Sequence, residues 1–377
     1  MKFIHTADWH LGKKLREHSL IDDQQYILNE FLKLVDNEKP ELIIIAGDIY
    51  DSRIPPVDAI NLFDEVLTKL LLEKKIPVLC IAGNHDDSSR LNFGSKMFDK
   101  LNFHMRSKIS SDMEPIIFND EYGEIYFSPI PYFYPSIVRE KFDFPSNNYM
   151  TYDDAAKIII EAARSKIPNN KRSVAIAHLF IKGSVRSESE VQMVGGIDEI
   201  NAAHFADYNY TALGHLHQPQ NRGNNVRYSG SLLKYSFDEE HQNKVIDIVE
   251  IDKFGKCKLP DKPYKLTPKR DVRTVTGLLD DILQKEPSSN DYILAKLQDE
   301  NPYNAGEKLR SALFPNLLSV EIVSEREIRE SLKLQQREHL NDAQLFEEFF
   351  NDMTGRRMND EERALFMDCF NELKAQS

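Results

Sequence analysis

Through the first part of the chain, short apolar runs alternate with segments whose apolar residues recur at helical spacing. The runs at residues 2–6, 41–45 and 76–81 predict buried strands, and the spacing within residues 21–38 and 56–72 predicts helices. Strands and helices in alternation are typical of an α/β layered core. In such a core the functional loops lie beyond the carboxyl ends of the strands.

The strand pattern continues through the middle of the chain. Further strands are predicted at residues 125–129, 173–177, 210–213, 226–229 and 245–251, with a helix at residues 153–164. The turn-rich residues 221–225 predict a hairpin between two of these strands. Prolines and lysines between Pro260 and Pro268 indicate a linker, so we expect a first domain over residues 1–265.

A different pattern follows the linker. Three short strand patterns and two helical patterns alternate over residues 270–324, which predicts a small α+β domain. After a polar stretch, two apolar stripes, beginning at Phe346 and at Leu365, predict a pair of amphipathic helices within residues 335–377. Gly355 is a typical end for the first helix and Asn359 a typical cap for the second.

Composition and charge narrow the class of protein. The chain is 41% hydrophobic and 29% charged, and its first residues form too short an apolar run for a signal peptide. No segment has the apolar length of a membrane span, so we expect a cytoplasmic protein. The net charge of -13 disfavours a protein that holds nucleic acid mainly by its own basic surface. A DNA substrate would need bound metals, a local basic patch or a partner.

The cysteines carry no recognisable site. Cys80, Cys257 and Cys369 are far apart, odd in number and outside any Cys-x-x-Cys spacing. This usage predicts reduced thiols, and not disulfides or a thiolate zinc site.

Clusters of Asp, Asn and His stand where five apolar runs end. They are Asp8-Trp9-His10, Gly47-Asp48, Gly83-Asn84-His85-Asp86, Ala177-His178 and Gly214-His215-Leu216-His217. One such match is weak evidence, because Gly-Asp is a common turn and an isolated histidine is more often structural. Five of them at strand ends can converge on one edge of a sheet. Their mixed nitrogen and oxygen donors suit a pair of divalent transition metals, which predicts a metal-dependent hydrolase.

The candidate ligands divide between two metals. Asp48 follows the most hydrophobic run and is the candidate for the carboxylate that bridges both ions. The remaining ligands are Asp8, His10 and His217 for one metal, and Asn84, His178 and His215 for the other. Alternate residues of an extended segment project the same way, so we expect both imidazoles of the last cluster to reach the site and Leu216 to point into the core.

His85 is the candidate catalyst, because the ligand set is complete without it. As a general acid it would protonate the departing oxygen, with Asp51 or Asp86 as candidates to orient its ring. The mixed ligand set favours Mn(II) or Fe(II) over Mg(II), which prefers oxygen ligands. Trp9 could stack on a base, although a tryptophan in a metal loop more often packs beneath it.

The strings at residues 5–12 (HTADWHLG), 46–51 (AGDIYD) and 82–86 (AGNHD) resemble those of the calcineurin-like metallophosphoesterases, and among them the nuclease subunits of bacterial ATPase-nuclease complexes. The resemblance runs the length of the chain and is most specific up to Leu101 and over residues 173–233. It implies a two-sheet α/β sandwich. It also implies that residues 270–324 cap the DNA-binding face and that the helical pair of residues 335–377 docks on a coiled-coil ATPase.

The same resemblance implies an activity and a set of partners. The expected enzyme is a nuclease with two Mn(II) ions, or Mg(II) or Fe(II) in their place, that degrades double-stranded DNA ends 3′ to 5′ and opens single strands and hairpins endonucleolytically. The expected assembly is a homodimer within a heterotetramer with the ATPase, near the nucleoid, in DNA replication, recombination and repair. All seven candidate ligands and His85 match the family positions. Asp51 stands where archaeal and eukaryotic relatives carry histidine, so its role stays open.

Two other functions compete with this one. A stand-alone phosphodiesterase or phosphatase acting on nucleotides or phosphoproteins would not need the residues after about Ser324. A non-catalytic scaffold would typically have lost ligands, and here none of the seven is missing. The helical pair could also fold back on the catalytic domain instead of docking on a partner.

Overall fold

The computed structural model gives the fold over most of the chain. The described residues are 1–145, 149–190, 198–223, 225–260, 263–323, 342–354, 356, 358–359, 362–363 and 365–366. The chain forms two compact units, Met1–Thr274 with Asn290–Ile293, and Val275–Ser289 with Leu294–Ser377. Within the described residues, no helix combines the length and the apolar character that crossing a membrane requires.

The strands before residue 270 are short and numerous. In chain order they are β1 (Lys2–Thr6), β2 (Lys14–Leu15), β3 (His18–Ser19), β4 (Leu42–Ala46), β5 (Val78–Ile81), β6 (Phe103–Arg106), β7 (Ile116–Asp120), β8 (Gly123–Ile130), β9 (Arg172–His178), β10 (Phe180–Ile181), β11 (Glu199–Ile200), β12 (Tyr210–Gly214), β13 (Gln220–Asn221), β14 (Val226–Tyr228), β15 (Val245–Ile251), β16 (Cys257–Lys258) and β17 (Tyr264–Lys265). Most of these strands are hydrogen-bonded into two main sheets.

The two sheets each have a parallel centre. The first has the order β16-β15-β1-β4-β5-β6, with β17 also pairing with β15. Its strands β1, β4, β5 and β6 are parallel, and β15 is antiparallel to β1. The second has the order β13-β14-β12-β9-β8-β7, with parallel strands at its centre and antiparallel strands at both edges. The carboxyl ends of the parallel strands therefore meet at one edge of each sheet.

The sheets pack face to face around a shared apolar core. Phe3 and Ile44 of the first sheet belong to the same buried cluster as Phe127 and Ile176 of the second. The rings of Phe3 and Phe127 meet edge to face, with their centroids 5.9 Å apart. Strands buried on both faces read as continuous apolar runs, which is why β4 is Leu-Ile-Ile-Ile-Ala. The architecture is the two-sheet α/β sandwich that the family resemblance implies, and it confirms the α/β layered core predicted from the sequence pattern.

Helices occur in both units of the chain. They are α1 (Ile21–Glu38), α2 (Val57–Thr68), α3 (Ser88–Leu91), α4 (Ser95–Phe98), α5 (Pro135–Lys141), α6 (Tyr152–Ser165), α7 (Leu279–Lys285), α8 (Ala305–Ala312) and α9 (Asp342–Thr354). The helix α6 begins with a capping box between Thr151 and Asp154 and buries Ile159 and Ile160 against the second sheet.

The strongly periodic elements agree with the sequence predictions. The helix α1 and the strands β1 and β15 have the predicted bounds. The helix α2 is shorter than predicted, because the chain passes at Lys69 into a π-helical turn that ends at Glu73. The cysteines Cys80 and Cys257 are free thiols, as expected, while Cys369 lies outside the described residues.

The predicted hairpin contains β14, but its other strand is not the one predicted. Residues 221–225 do connect two antiparallel strands, but these are β13 and β14. The predicted strand β12 instead runs parallel to β14, since the chain reverses in the loop that contains His215 and His217. The strand β13 is only two residues long, too short to leave a periodic signal.

The residues after the linker form a small α+β arrangement. The strands β18 (Val272–Gly277), β19 (Tyr292–Leu297) and β20 (Leu317–Ile322) make a three-stranded sheet in that order. Their positions and those of α7 and α8 agree with the predicted pattern to within a few residues. In the tail, the ring of Phe346 on α9 stacks on that of Phe366 at 3.9 Å. Most of the second predicted tail helix lies outside the described residues.

Candidate metal centre

Five loops bring the polar clusters to one edge of the sandwich. The loops leave the carboxyl ends of β1, β4 and β5 in the first sheet and of β9 and β12 in the second. Backbone hydrogen bonds join the first two, from Asp8 N–H to Gly47 O at 3.1 Å and from His10 N–H to Asp48 O at 3.0 Å. The candidate ligands are therefore held by main-chain contacts and not only by their side chains.

Several site residues have an uncommon backbone conformation. Asp8 has φ 54°, His10 has φ 44°, Asp48 has φ 49° and His215 has φ 101°. Positive φ in a residue other than glycine costs on the order of 1–3 kcal/mol and persists only where the surroundings enforce it. The fold thus holds these side chains in positions that an isolated loop would rarely adopt.

Glycines let the loops approach one another closely. A β-carbon at Gly47 would lie 2.3 Å from His178 Nδ1, and one at Gly83 would lie 2.1 Å from Asp48 Oδ1. Gly47 also has φ 90°, which glycine adopts without a steric cost. The Gly-Asp and Gly-Asn pairs of the sequence are therefore close-packing sites as well as turns.

The first candidate metal position lies between Asp8, His10, Asp48 and His217. The Nε2 atoms of His10 and His217 are 3.1 Å apart, and His10 Nε2 is 3.5 Å from Asp48 Oδ2. Donor atoms of Asp8, His10 and Asp48 lie within 4.8 Å of one another. This is the grouping predicted for one of the two metals.

The second candidate position lies between Asn84, His178 and His215. Asn84 Oδ1 is 2.9 Å from His178 Nε2 and 3.0 Å from His215 Nδ1. His178 Nε2 is also 3.3 Å from Asp48 Oδ2. Because the same carboxylate reaches both groups of ligands, Asp48 lies where a bridging ligand is needed.

The donor set fits divalent metal ions. Asp8 Oδ2 is buried and, among the described residues, has no hydrogen-bond partner. The facing Nε2 atoms of His10 and His217 can share at most one proton, and a metal ion would use both lone pairs. A buried ligand atom without a hydrogen-bond partner is costly unless a bound ion satisfies it, so these side chains fit bound divalent cations.

The pKa values of the site residues are shifted by burial and by neighbouring charged groups. Burial raises the pKa of Asp8 to about 7, against the opposing effect of His178 and His217. Burial acts on Asp48 in the same direction, but the neighbouring His178, His10 and His85 hold its pKa well below the ordinary value. Burial lowers the pKa of His10 to about 4. Burial thus disfavours the charged forms of Asp8 and His10, while the neighbouring histidines favour the ionised form of Asp48.

His85 lies at the edge of the site with its ring half-buried. Its ring is 4.8 Å from that of His10, centroid to centroid, and its backbone N–H donates to Asp48 Oδ1 at 2.9 Å. Its Nδ1 is 2.8 Å from the backbone oxygen of Asp51. A carbonyl oxygen can only accept, so Nδ1 carries a proton and Nε2 is the nitrogen left for chemistry.

Two carboxylates, those of Asp51 and Asp86, are predicted to orient the His85 ring. Neither side chain contacts Nε2 of His85. Asp51 orients the His85 ring through its main chain, and its side chain turns to Lys13 Nζ at 2.8 Å and His10 Nδ1 at 3.3 Å. Asp86 accepts backbone N–H groups of Gly83, Ile49 and Tyr50, and so joins the loops after β4 and β5. Both residues therefore shape the site, but by contacts that spacing in the sequence does not reveal.

The two apolar residues within the polar clusters, Trp9 and Leu216, are buried. Trp9 is fully buried, packs edge to face against Phe31 and Phe63, and donates from Nε1 to Thr6 Oγ1. It lies beneath the loop and is not exposed to stack on a base. Leu216 is fully buried, as predicted.

Sequence reasoning missed several groups around His217. Glu239 is fully buried, and its Oε1 lies 3.0 Å from His217 Nδ1. Ser189 Oγ lies 2.8 Å from the same nitrogen, and the ring of Tyr235 lies 5.5 Å from those of His10 and His217. Glu239 stands in the run Asp238-Glu239-Glu240, which reads as a solvated acidic turn. Nothing in that pattern distinguishes its buried member.

Comparison with known proteins places the chain in a class. Residues 1–219 match the family model of the calcineurin-like phosphoesterases. The chain belongs to the calcineurin-like phosphoesterases. The family implies a divalent-metal phosphoester hydrolase, and this edge of the sandwich carries candidate metal-ligand groups.

Individual relatives indicate which phosphoesterases this chain is similar to. The chain is 34% identical over 368 residues to the D subunit of nuclease SbcCD from Staphylococcus epidermidis, covering 95% of each chain. It is 33% identical over 367 residues to the same protein of Staphylococcus saprophyticus, covering 95% of this chain and 94% of the relative. A dimetal phosphatase from Danio rerio is 12% identical, with a TM-score of 0.40 and coverage of 71% of this chain and 98% of that one.

Proposed function

We propose that this protein is the nuclease subunit of an SbcCD-type complex. It hydrolyses phosphodiester bonds of DNA with two Mn(II) ions, as a 3′ to 5′ exonuclease on double strands and as an endonuclease on single strands and hairpins. Similarity to the D subunit of nuclease SbcCD along 95% of both chains supports the assignment. The observation that carries it is the meeting of Asp8, Asn84 and four histidines from three loops around the shared carboxylate of Asp48.

The chain supplies ligands, an orienting frame and a proton donor. Asp8, His10 and His217 would hold one ion, Asn84, His178 and His215 the other, and Asp48 both. When bound, the ions supply Lewis acidity to the phosphodiester and to the attacking water. His85, fixed through Nδ1 to the Asp51 backbone oxygen, holds a proton at Nε2 and delivers it to the departing oxygen.

The proposed partner is an SbcC-like coiled-coil ATPase. The relatives are components of SbcCD, and the net charge of -13 favours an arrangement in which another chain contributes DNA contacts. We assign the docking role to residues 335–377 and a DNA-facing capping role to residues 270–324. In the described part of the tail, Phe349 and Met353 of α9 are exposed, which is a suitable apolar surface for a partner helix.

The chain also has a suitable surface for a second copy of itself. Ile54 just before α2, Val57 at its start, and Phe93 and Met97 around α4 are large, apolar and more than 60% exposed. The two segments are neighbours, since the ring of Phe103 contacts both Phe63 of α2 and Phe98 of α4. We call these four residues the α2–α4 patch, and we propose that it forms the interface of a homodimer.

The function is tested with the chain co-expressed with an SbcC-like ATPase and assayed on blunt duplex DNA labelled at either strand end. We expect co-purification, and Mn(II)-dependent release of nucleotides from the 3′ end. His85→Ala should lower kcat by about 100-fold to 10,000-fold, the range for loss of a general acid, and leave two bound metals per chain. Bound metal is measured by elemental analysis.

The control variant is His241→Ala, because the side chain of His241 is 81% exposed and lies outside the site. It should keep full activity. Undiminished cleavage by the His85→Ala enzyme would refute the role of His85. Turnover of small phosphodiesters without DNA cleavage, and without ATPase binding, would favour a stand-alone phosphodiesterase.

A further inference from the structure

The two histidines of the first metal position, His10 and His217, have the same kind of surroundings. Each directs Nε2 inward, where the two nitrogens are 3.1 Å apart, and each has a carboxylate facing the outer nitrogen, Nδ1. For His217 that carboxylate is Glu239, at 3.0 Å. For His10 it is Asp51, at 3.3 Å. Each carboxylate in turn contacts a lysine.

Glu239 is held in place by several contacts. It lies on the 3-10 turn Phe237–His241, and its Oε2 accepts from Lys244 Nζ at 2.7 Å and from the backbone N–H of Tyr235 at 3.2 Å. Lys244 Nζ also donates to the backbone oxygen of His217 at 2.9 Å. Glu239 and Lys244 thus hold both the ring and the main chain of His217. A buried acid-base pair this well satisfied has few alternative positions.

Asp51 faces His10 in a more open setting and without a hydrogen bond, since among the described residues His10 Nδ1 has no hydrogen-bond partner. Its Oδ1 lies 2.8 Å from Lys13 Nζ and 3.3 Å from His10 Nδ1, and its side chain is 27% exposed. The contact to His10 is longer than the one between Glu239 and His217. The Asp51 side chain is therefore the weaker of the two supports.

The second metal position is built differently. His178 Nδ1 lies 2.9 Å from the backbone oxygen of Ala46, and the carboxylate oxygen Asp8 Oδ1 is 3.9 Å away. A neutral carbonyl orients an imidazole but raises its basicity less than a carboxylate does. An imidazole that donates Nδ1–H to a carboxylate is a better electron donor at Nε2, and loss of such partners typically lowers metal affinity by roughly 10–100-fold.

We propose that Glu239 with Lys244, and Asp51 with Lys13, are positioning pairs that make the first metal position the tighter of the two. This rests on the proposed two-metal site. Lys244 holds the Glu239 carboxylate in place, and Glu239 fixes the His217 tautomer with Nε2 free for the ion. The second ion, held by Asn84, His178 and His215, binds more weakly and exchanges first.

The test is Mn(II) binding to the purified, metal-free full chain, measured by calorimetry and by the electron paramagnetic resonance signal of free Mn(II). The wild-type chain should bind two ions with separable affinities. Glu239→Gln should weaken the tighter ion by roughly 10–100-fold and change the other less than about threefold. Asp51→Asn should weaken the same ion by a smaller factor.

Two further variants separate positioning from folding. Glu240→Gln is the matched control, because this neighbouring carboxylate contacts the Thr274 backbone N–H and not a candidate ligand; it should bind both ions as the wild type does. Glu239→Gln combined with Lys244→Met leaves no unpaired buried lysine. It should regain thermal stability while the tighter ion stays weakened.

The outcomes discriminate between the inference and the proposed function. Wild-type affinity for both ions in Glu239→Gln, or an equal loss at both positions, would overturn the positioning role. Full recovery of Mn(II) affinity in the double variant would do the same. A wild-type chain that binds two ions but does not cleave DNA would overturn the proposed nuclease and leave the positioning role standing.

Discussion

A methyl group is too large for the space at Gly83. The added carbon would lie 2.1 Å from Asp48 Oδ1 and 2.4 Å from Asp48 N, so the proposed bridging carboxylate would have to move. The sequence shows this glycine only as part of a turn beside Asn84. Its spatial neighbour is 35 positions away in the chain, after another strand, and only the fold reveals it.

Gly83→Ala should therefore impair metal binding as well as stability. We expect a free energy of unfolding lower by about 1–3 kcal/mol, as for other overpacked sites, and Mn(II) affinity lower by at least roughly 10-fold. Chemical denaturation and calorimetry measure the two effects. Gly306→Ala on α8, where the nearest atom would be at 3.7 Å, should change neither adversely.

At the residue scale, the candidate ligands could be predicted because each ends an apolar run with a donor side chain. Asp8, Asp48 and His178 are such residues, and the structure brings them together. Glu239 could not be predicted, since its importance comes from burial beside His217 and not from local pattern. The sequence suggests the side chain of Asp51 as a support for His85, but it faces His10 instead.

At the scale of elements, the end of β7 is joined to the start of β9 by a buried ion pair. Asp120 Oδ2 accepts from Arg172 Nη1 at 2.8 Å, and the two side chains are 3% and 7% exposed. The Arg172 guanidinium holds the pKa of Asp120 below its ordinary value of 3.8. The folded state therefore favours the ionised carboxylate.

The consequence is a defined dependence of stability on pH. A lowered carboxyl pKa contributes stability that is complete above the unfolded value and is lost as pH falls below about 4. Asp120→Asn should cost about 3 kcal/mol at about pH 7, because it leaves the buried Arg172 without its anion. The difference from the wild type should shrink between about pH 4 and pH 2.

Urea unfolding across that pH range tests the ion pair. Asp112→Asn is the control, since that carboxylate is 66% exposed and its pair with Lys166 should contribute less than about 1 kcal/mol. An Asp120→Asn deficit that stayed constant from neutral to strongly acidic pH would contradict the assigned pairing.

At this scale, an element can be predicted from the sequence where its apolar residues recur with a strong period. The 18-residue helix α1 and the strand β4 stand out because one face or both faces are buried. The strands β6 and β7 escape prediction, because each alternates between more and less buried positions over only four or five residues. So short an alternation is common in loops as well.

At the scale of the whole molecule, the α2–α4 patch predicts self-association. Val57→Glu with Met97→Glu places two charges in it, and the variant should weaken the homodimer by at least roughly 10-fold while retaining its fold. Light scattering after size exclusion should then give the mass of one chain in place of two. Phe254→Glu, at a residue that is 81% exposed elsewhere on the same unit, should leave the dimer intact.

An unchanged dimer in the double variant would place the interface elsewhere. A wild-type chain that is monomeric at micromolar concentration would remove the homodimer from the proposed assembly. Circular dichroism establishes that the variants are folded, which we expect because both substitutions are on exposed side chains.

The sequence by itself determined the α/β class, the order of the long elements and which donor residues stand at strand ends, because these follow from local periodicity and from residue chemistry. Only the tertiary structure decided which donors face one another, that Asp48 reaches both groups of ligands, and that Glu239 and Asp51 support different histidines. Those relations join residues tens to hundreds of positions apart. They depend on how two sheets pack, which no local pattern encodes.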